Sequence, residues 1–173
     1  MPVNVSFRVV GLYCYFENLK LETVSPTSTV KEVMDAIAIE RPDFSYRSMT
    51  LPNGKELVKG MSYVYNPSST RPYNSSLPKP GPRSEDIVLG PISLVWQYYR
   101  SVTVSDSDGK SFEVKTITPG YAQPSYAVTP LNQNACIPSG TEVGAYNLTW
   151  RLLKIEMQPE NMKNYSLAVA GSI

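Results

Sequence analysis

The sequence predicts an α+β fold in which a mixed β-sheet packs against one helix. Apolar and polar residues alternate with a period of two in several separate segments, which is typical of half-buried strands. One segment instead shows apolar residues at helical spacing. The chain has 15 prolines and 12 tyrosines among its 173 residues, and this composition favours strands and loops over a helical bundle. The length suits a single elaborated domain covering residues 1–173.

The N-terminal segment predicts a β-hairpin. Four apolar residues alternate with polar ones and mark the first strand: Val3, Val5, Phe7 and Val9. A second alternating set marks its partner: Leu19, Leu21 and Thr23. Glu17 and Asn18 are predicted to form the turn between the two strands. The aromatic run GLYCYF, at residues 11–16, either extends the first strand or bulges outward as an exposed loop.

The helix is predicted to follow Pro26. Thr27 or Ser28 is expected to cap its N-terminus, with Glu32 in the first turns, where the helix dipole favours an acid. The apolar positions form one stripe about three turns long: Val30, Val33, Met34, Ile37 and Ala38. Pro42 is expected to end the helix, because the residue before a proline avoids the helical region.

A short strand, a turn at residues 51–54 and a second short strand are expected after the helix. The segment LKLETVSPTSTVKEVMDAI, followed by SMTLPNGKELVKGMSYVY, resembles the ubiquitin-like β-grasp superfamily over about residues 1–66. The resemblance rests on the order of hairpin, helix, strand, Gly-Lys turn and short strand. It implies a β-grasp-like mixed sheet with one packed helix. By analogy with ubiquitin-like adaptors, it also implies a role in protein interaction.

Beyond residue 66 the chain departs from that family. Residues 66–86 contain five prolines and predict a long, irregular Pro-rich loop, with a polyproline ligand motif in PKPGPR as the alternative. The family needs a long final strand in the middle of its sheet, which we assign to residues 87–104. The chain ends without the Gly-Gly tail of conjugated members, so attachment through the C-terminus is not expected. The domain should therefore comprise a β-grasp-like first part (1–66), a Pro-rich loop (67–86) and a β-rich remainder (87–173).

The stretch SDSDGK, residues 105–110, predicts the turn of an extra β-hairpin. A calcium loop is the alternative, but the position of the glycine does not fit an EF-hand. A two-residue turn would set valines opposite charged residues, whereas a three-residue turn sets Val104 opposite Phe112 and matches the apolar faces. This register requires positive φ at Gly109 and hydrogen bonds from the turn backbone to Asp106. A second Pro-rich loop, at about residues 118–141, and a long strand, at about residues 146–155, should complete the fold.

The composition argues against several classes of activity. Lys and Arg number 16 against 15 Asp and Glu, and a net charge of +1 lacks the basic excess of a nucleic-acid-binding surface. Without histidine, a Ser-His-Asp or Cys-His nucleophile system cannot be built, and the commonest zinc ligand is missing. We therefore expect no metal and no cofactor, and we favour a non-enzymatic role while leaving an enzyme open.

Cysteine usage and the absence of targeting signals bear on location. Cys14 and Cys136 predict two buried free thiols, with a single disulfide as the alternative. The sequence shows neither a signal peptide nor a segment of transmembrane length, so a cytoplasmic protein without membrane attachment is expected. Four N-x-S/T sequons are present, at Asn4, Asn74, Asn147 and Asn164. Their use as glycosylation sites would instead indicate export.

Two groups of aromatic residues are candidate binding sites. The first lies on the long strands and includes an arginine: Trp96, Tyr98, Arg100 and Trp150. It would form an aromatic pocket in which the arginine recognises an anion. Alternatively, the rings belong to the core, and the arginine head reaches solvent. The second group lies near the first hairpin: Tyr13, Tyr15 and Phe16. These residues would bind a partner if exposed, or would pack beneath the Pro-rich loops.

Three functions remain open at this stage. The first is a non-enzymatic protein-interaction or assembly module, with a protein partner or self-association. The second is a small-molecule binding protein or cofactorless enzyme that uses the pocket around Arg100. The third is a secreted or surface structural subunit, which the sequons and the abundance of tyrosine and proline would suit.

Overall fold

The computed structural model describes residues 2–50, 52, 54, 56–65, 78–88, 90–115 and 125–156. Within these ranges the chain has one helix, a mixed five-stranded sheet and a three-stranded sheet, so the predicted α+β class is confirmed. The strands are β1 (Val3–Val10), β2 (Cys14–Leu21), β3 (Phe44–Thr50), β4 (Glu56–Tyr65), β5 (Gly81–Asp86), β6 (Ile92–Ser105), β7 (Ser111–Lys115) and β8 (Glu142–Glu156). The helix, α1 (Val30–Glu40), lies between β2 and β3.

The two sheets have different strand orders. The five-stranded sheet has the order β2-β1-β8-β6-β7, and the three-stranded sheet has the order β3-β4-β5. β1 runs parallel to β8, and the other described pairs of both sheets are antiparallel. The extra hairpin predicted around SDSDGK is the β6–β7 pair.

The first hairpin turns earlier than predicted. β1 and β2 are joined at residues 11–13, and Glu17 and Asn18 lie within β2, so the turn predicted at these two residues is wrong. The observed register sets Val9 opposite Tyr15, and it places the buried apolar side chains of both strands on one face. A two-residue turn at residues 17 and 18 would set odd-numbered apolar residues opposite even-numbered polar ones. The GLYCYF run therefore supplies the turn and the start of β2.

Helix α1 begins with a capping box at Thr29. The Thr29 hydroxyl accepts a hydrogen bond from the Glu32 N–H at 3.2 Å, and the Glu32 carboxylate accepts one from the Thr29 N–H at 3.3 Å. The N-cap predicted at Thr27 or Ser28 is therefore wrong, because only Thr29 stands three residues before a glutamate. The predicted stripe is buried apart from Ala38, which is half-buried. No helix in the described ranges is long and apolar enough to span a membrane.

Two strand assignments beyond residue 66 are also wrong. Residues 81–86, predicted as loop, form β5 at the end of the three-stranded sheet, where the missing N–H of Pro82 is tolerated. The middle of the five-stranded sheet is occupied by β8 and not by residues 87–104. β8 has 15 residues and pairs along both its edges, with β1 and with the 14-residue β6.

The turn at SDSDGK has the predicted geometry. The Asp106 carboxylate accepts hydrogen bonds from the N–H groups of Asp108 and Lys110, each at 2.9 Å. Gly109 has a φ of +79°, and Val104 lies opposite Phe112. The carboxylate of Asp106 is therefore engaged by the turn backbone.

The five-stranded sheet has an inner face and an outer face. The inner face shares one hydrophobic core with α1 and the three-stranded sheet. The largest fully buried side chains of this core come from all three parts, and they include Trp96, Trp150, Tyr98, Met34, Ile37, Phe44 and Met61. The opposite side of the same strands forms the outer face.

Candidate functional site

The inner face holds the first predicted group of site residues. Trp96 and Trp150 are 0% exposed and Tyr98 is 1% exposed. The ring centroids of Tyr98 and Trp150 lie 5.2 Å apart, and the Trp96 indole N–H donates to the Glu85 carbonyl at 3.2 Å. These rings therefore lie in the core, as one interpretation of the sequence expected, and their use as a ligand site stays a prediction.

Arg100 is buried beside these rings. It is 4% exposed, and its Nη1 donates to the carbonyl oxygens of Pro130, Leu131 and Gln133 at 3.3, 3.3 and 2.8 Å. Burial lowers the pKa of Arg100. The alternative interpretation, in which the head of this arginine reaches solvent, is therefore wrong. Its Nη1 instead holds a segment of backbone against β6.

That segment, residues 125–133, also completes the N-terminus of α1. The N–H groups of Val30 and Lys31 donate to the Thr129 and Tyr126 carbonyls, each at 2.9 Å. These are among the helix donors that lack a partner within the helix itself. The part of the second predicted Pro-rich loop that the structure describes is thus anchored to both α1 and Arg100.

Two tyrosine–carboxylate pairs stabilise the same region. The Tyr126 hydroxyl donates to Glu56 at 2.9 Å, and the Tyr46 hydroxyl donates to Asp35, which also pairs with Lys31 at 3.2 Å. Burial, followed by the hydrogen bond to the carboxylate, raises the pKa of both tyrosines. Both rings therefore act as neutral hydrogen-bond donors at physiological pH, which is a structural role.

The structure does not bring the second predicted group together on one surface. Tyr15 is 5% exposed and belongs to the core. Tyr13 is half-buried, with its ring 5.2 Å from that of Tyr65 and the Arg83 guanidinium 4.3 Å above it. Phe16 lies on the outer face, opposite to Tyr15. Of the three, Phe16 therefore belongs to a different surface from the two tyrosines.

A buried carboxylate connects the first hairpin to the three-stranded sheet. Glu85 is 6% exposed and accepts hydrogen bonds from the Leu12 N–H at 2.7 Å and from the Tyr63 hydroxyl. Burial, followed by this hydrogen bond, raises the pKa of Tyr63. A Cβ atom at residue 11 would collide with the Glu85 carboxylate, so this close approach of the first hairpin favours glycine at residue 11.

The outer face carries two aligned rows of residues across four strands. The first row runs from β2 to β6 as Phe16, Arg8, Thr149 and Tyr99. The second row lies two residues from the first on each strand, and it consists of Asn18, Ser6, Asn147 and Ser101. These eight residues, together with Arg151 beside the first row, are called the outer-face site below.

Each end of the first row is an arginine–aromatic pair. The Arg8 guanidinium lies 5.0 Å from the centroid of Phe16, and that of Arg151 lies 5.3 Å from the centroid of Tyr99. Both arginines are exposed, and Tyr99 is 41% exposed. These two pairs are thus accessible from outside the molecule, in contrast to Arg100 on the inner face.

The second row is flat and polar. Asn147 donates to the hydroxyl oxygens of Ser101 and Thr103 at 3.0 and 2.9 Å. Ser6 and Ser101 are each 8% exposed, so the centre of the face lies below the long side chains of the first row. This arrangement forms a shallow floor of amide and hydroxyl groups between raised ends.

The positive charge of the outer face is concentrated around the outer-face site. Arg8, Arg151 and Lys20 are exposed cations on this face, and Glu113 and Glu142 are exposed acidic residues among its described side chains. A depression of about 310 Å³ adjoins the second row, and its lining includes Asn18 and Lys20. The cations lie on β1, β2 and β8 at or beside the outer-face site, whereas Glu113 lies on β7 and Glu142 lies opposite Ser105 at the far end of β6.

The sequence predicted Phe16 as a binding residue but not the rest of the outer-face site, because the other predicted site residues lie on the apolar strand faces or beside Phe16 in the first hairpin. One local signal was available, since Arg8 is the charged one among the polar residues that alternate with the apolar residues of β1. Its pairing with Phe16 follows from the correct hairpin register. The second arginine joins the site only through the parallel pairing of β1 with β8, which lie at opposite ends of the chain.

The cysteines and acidic residues give no further site in the described ranges. Cys14 and Cys136 are free, as predicted, but neither is buried: the first is half-buried and the second is exposed. No cluster of three or more Cys, Asp or Glu side chains in the part of the chain that the structure describes could hold a metal ion.

Comparisons with known proteins do not extend this description. No protein-family model, curated protein or solved structure matches the chain. The functional interpretation therefore depends on the geometry of the outer-face site and of the sheet that carries it.

Proposed function

We propose that the protein is a non-enzymatic protein-interaction module that binds an acidic segment of a partner through the outer-face site. The observation that carries this proposal is the pair of accessible arginine–aromatic contacts, Arg8 with Phe16 and Arg151 with Tyr99. Arginine and aromatic residues are enriched at protein interfaces and dominate their binding energy. The proposal goes beyond the sequence expectation by naming the surface and the charge of the partner.

The chemistry of the site suits an extended acidic segment. A guanidinium binds a carboxylate through two parallel hydrogen bonds, and the adjacent ring supplies apolar contact. The amide and hydroxyl groups of the second row can bond polar groups of the same segment. The rings of Phe16 and Tyr99 stand on strands three spacings apart, or about 14 Å, which an extended segment of about four residues covers.

We also propose that the fold is an elaborated β-grasp. The hairpin β1–β2, the helix that follows it and the parallel pairing of β1 with β8 inside a mixed sheet support this proposal. In this interpretation, residues 66–86 and 118–141 are Pro-rich elaborations of one domain. The domain assignment itself stays a prediction.

The cellular location also remains a proposal. We propose a reducing compartment such as the cytoplasm, and the free thiols of Cys14 and Cys136 are consistent with it. The alternative functions from the sequence, a small-molecule binder and a secreted structural subunit, stay predictions that no observation on the described residues favours.

The proposal is tested by selecting binders from a displayed library of short random peptides. We expect the selected peptides to be rich in Asp and Glu. The double variant Arg8→Glu with Arg151→Glu should weaken their binding by more than about tenfold, because two charge-assisted contacts become repulsive. Isothermal titration at two salt concentrations measures the affinity and its electrostatic share.

The matched control reverses two exposed lysines elsewhere, Lys59→Glu on β4 and Lys154→Glu near the end of β8. It makes the same change in net charge as the test variant. If both double variants weakened peptide binding equally, the effect would come from the net charge of the protein and not from the outer-face site. Selected peptides that carry no acidic residues would contradict the proposal directly.

A further inference from the structure

A depression on the outer face adjoins the outer-face site at the end where β1 begins. It has a volume of about 310 Å³, and its lining includes Asn4, Asn18, Lys20, Gly144 and Ala145. A space of this size holds one acidic side chain together with several waters. The depression is therefore large enough to receive a single side chain of a bound partner.

The depression forms where β8 bulges and separates from β1. The register of β6 and β8 shifts between Thr103 and Val104, which leaves Gly144 without an opposing residue on β6. The described pairing of β8 with β1 begins beyond this residue, at Tyr146. The Asn4 side chain bridges the gap, because its Nδ2 donates to the Gly144 carbonyl at 3.1 Å. Bulges are over-represented next to active sites, and here the bulge opens a space beside a cationic surface.

The polar groups of the depression are available to a ligand. Lys20 is exposed, and its side chain forms no ion pair with a described residue, including the nearby Glu22. Asn18 is also exposed, and its side-chain amide makes no hydrogen bond within the described ranges. Asn4 donates one of its two amide hydrogens to Gly144 and keeps the other. An ammonium group beside two amides is a set of donors that suits a carboxylate.

Lys20 lies nearly in line with the two arginines of the outer-face site. Arg151 is opposite Val10, so Arg8 lies one strand over and two residues along from it. Lys20 is opposite Asn4, so it lies one further strand over and four residues along from Arg8. With strands about 4.8 Å apart and residues about 3.4 Å apart, these two steps measure about 8 and about 14 Å. The three cations therefore follow one diagonal of the face, about 22 Å long.

We propose, building on the function proposed above, that Lys20 and the depression bind a third carboxylate side chain of the same acidic segment. Alternate side chains of an extended segment face the same side and lie about 6.8 Å apart. The two steps between the cations therefore correspond to about two and about four residues of the segment. A segment of seven residues matches them with acids at positions 1, 3 and 7, or at positions 1, 5 and 7 in the opposite chain direction. All these positions are odd, so the three carboxylates face the sheet together.

The test is a nuclear magnetic resonance titration of the nitrogen-15-labelled protein with seven-residue peptides blocked at both ends. One peptide has Asp at positions 1, 3 and 7 and Ser elsewhere, and its charge-matched control has the third Asp at position 6. A second pair, for the opposite direction, has Asp at positions 1, 5 and 7 or at positions 2, 5 and 7. In one of these pairs the peptide with three odd-numbered acids should bind about three- to tenfold more tightly. It should also shift the side-chain amide signals of Asn4 and Asn18.

A variant of the lysine assigns this preference to the depression. Lys20→Met removes the ammonium group but keeps an unbranched side chain, so the two peptides of the pair should bind it with equal affinity. Lys59→Met, at an exposed position on β4, removes the same charge from the other sheet and should keep the preference. A preference that survives Lys20→Met would overturn the proposal, as would equal affinity of the wild type for both peptides in each pair.

The third carboxylate site and the proposed function can fail separately. If acidic peptides bind through Arg8 and Arg151 but neither the third acid nor Lys20 changes the affinity, the third site is overturned and the proposed function stands. If no acidic peptide binds the wild type, both are overturned. If the amide signals of Asn4 and Asn18 shift only with peptides that have a free C-terminal carboxylate, the depression binds a chain end and not an acidic side chain, which also overturns the proposal.

Discussion

The two faces of the five-stranded sheet both place arginine beside aromatic rings, but the surroundings of these groups differ. On the inner face, Arg100 is 4% exposed and donates to three backbone carbonyls. On the outer face, Arg8 and Arg151 are exposed and each lies over a single ring. The same residue types thus hold the fold together on one face and remain accessible on the other. An arginine–aromatic pattern indicates a binding site only where the strand face is open.

The largest difference between the faces is expected for the removal of an aromatic ring. Trp150→Ala on the inner face should lower the free energy of unfolding by about 3–5 kcal/mol, because it leaves a cavity in the core. Tyr99→Ala on the outer face should lower it by less than about 1 kcal/mol. Urea denaturation followed by far-UV circular dichroism measures both losses. Equal losses would show that the two faces contribute equally to stability, which contradicts the comparison.

The next effect concerns the carboxylate beneath the first hairpin. Glu85→Leu leaves the Leu12 N–H and the Tyr63 hydroxyl without this acceptor and should cost about 2–3 kcal/mol. The neighbouring Asp86 pairs with Arg47 at the surface, and Asp86→Leu should cost less than about 1 kcal/mol. Urea midpoints of the two variants test this difference. A larger loss for Asp86→Leu would show that the connection through Glu85 is unimportant.

A third effect appears at alkaline pH. The raised pKa of Tyr126 means that the native state keeps this proton at a pH where the unfolded chain releases it. Its contribution to stability is therefore complete below about pH 10 and is lost above it, at about 1.4 kcal/mol per pH unit for each such tyrosine. Tyr126→Phe should flatten this decline.

The alkaline decline is measured as the free energy of unfolding at several pH values above neutrality. Tyr99→Phe on the outer face is the matched control, since it removes the same hydroxyl from an exposed ring. Equal slopes for the wild type and Tyr126→Phe would contradict the role assigned to the buried tyrosine.

The smallest effect is expected in the floor of the outer-face site. Asn147→Ala removes the hydrogen bonds to Ser101 and Thr103, but water can replace them, so the loss should be about 0.5–1 kcal/mol. The same variant should weaken acidic-peptide binding less than the reversal of Arg8 and Arg151. A loss as large as that of Glu85→Leu would show that the outer face also stabilises the fold.

Local patterns predicted the elements that depend on neighbouring residues. The helix stripe, its end before Pro42 and the turn at Gly109 all follow from short-range spacing and sterics. Matching of apolar faces gave the correct β6–β7 register, and the same reasoning applied to the first hairpin would have excluded a turn at Glu17 and Asn18. β5 was missed because GPRSED has almost none of the residue types that favour strands.

Contacts between distant parts of the chain could not be predicted from spacing. The central position of β8 depends on its pairing with β1, and the outer-face site exists only through that pairing. The partners of Arg100 are backbone carbonyls about thirty residues away, which carry no side-chain signal. The sequence therefore indicates that a charged residue on an apolar strand face, such as Arg100, needs a hydrogen-bond partner. It does not indicate which group of the chain is that partner.

The division between the two faces is tested most directly by one chemical change made on each of them. Arg100→Met and the double variant Arg8→Met with Arg151→Met replace guanidinium groups by apolar chains, and the free energy of unfolding in urea is measured for both. We expect Arg100→Met to lose more than about 2 kcal/mol, because three backbone carbonyls, one of them buried, lose a charged donor. The double variant should lose less than about 1 kcal/mol. A larger loss for the outer-face variant would contradict the assignment of stability to the inner face and of binding to the outer face.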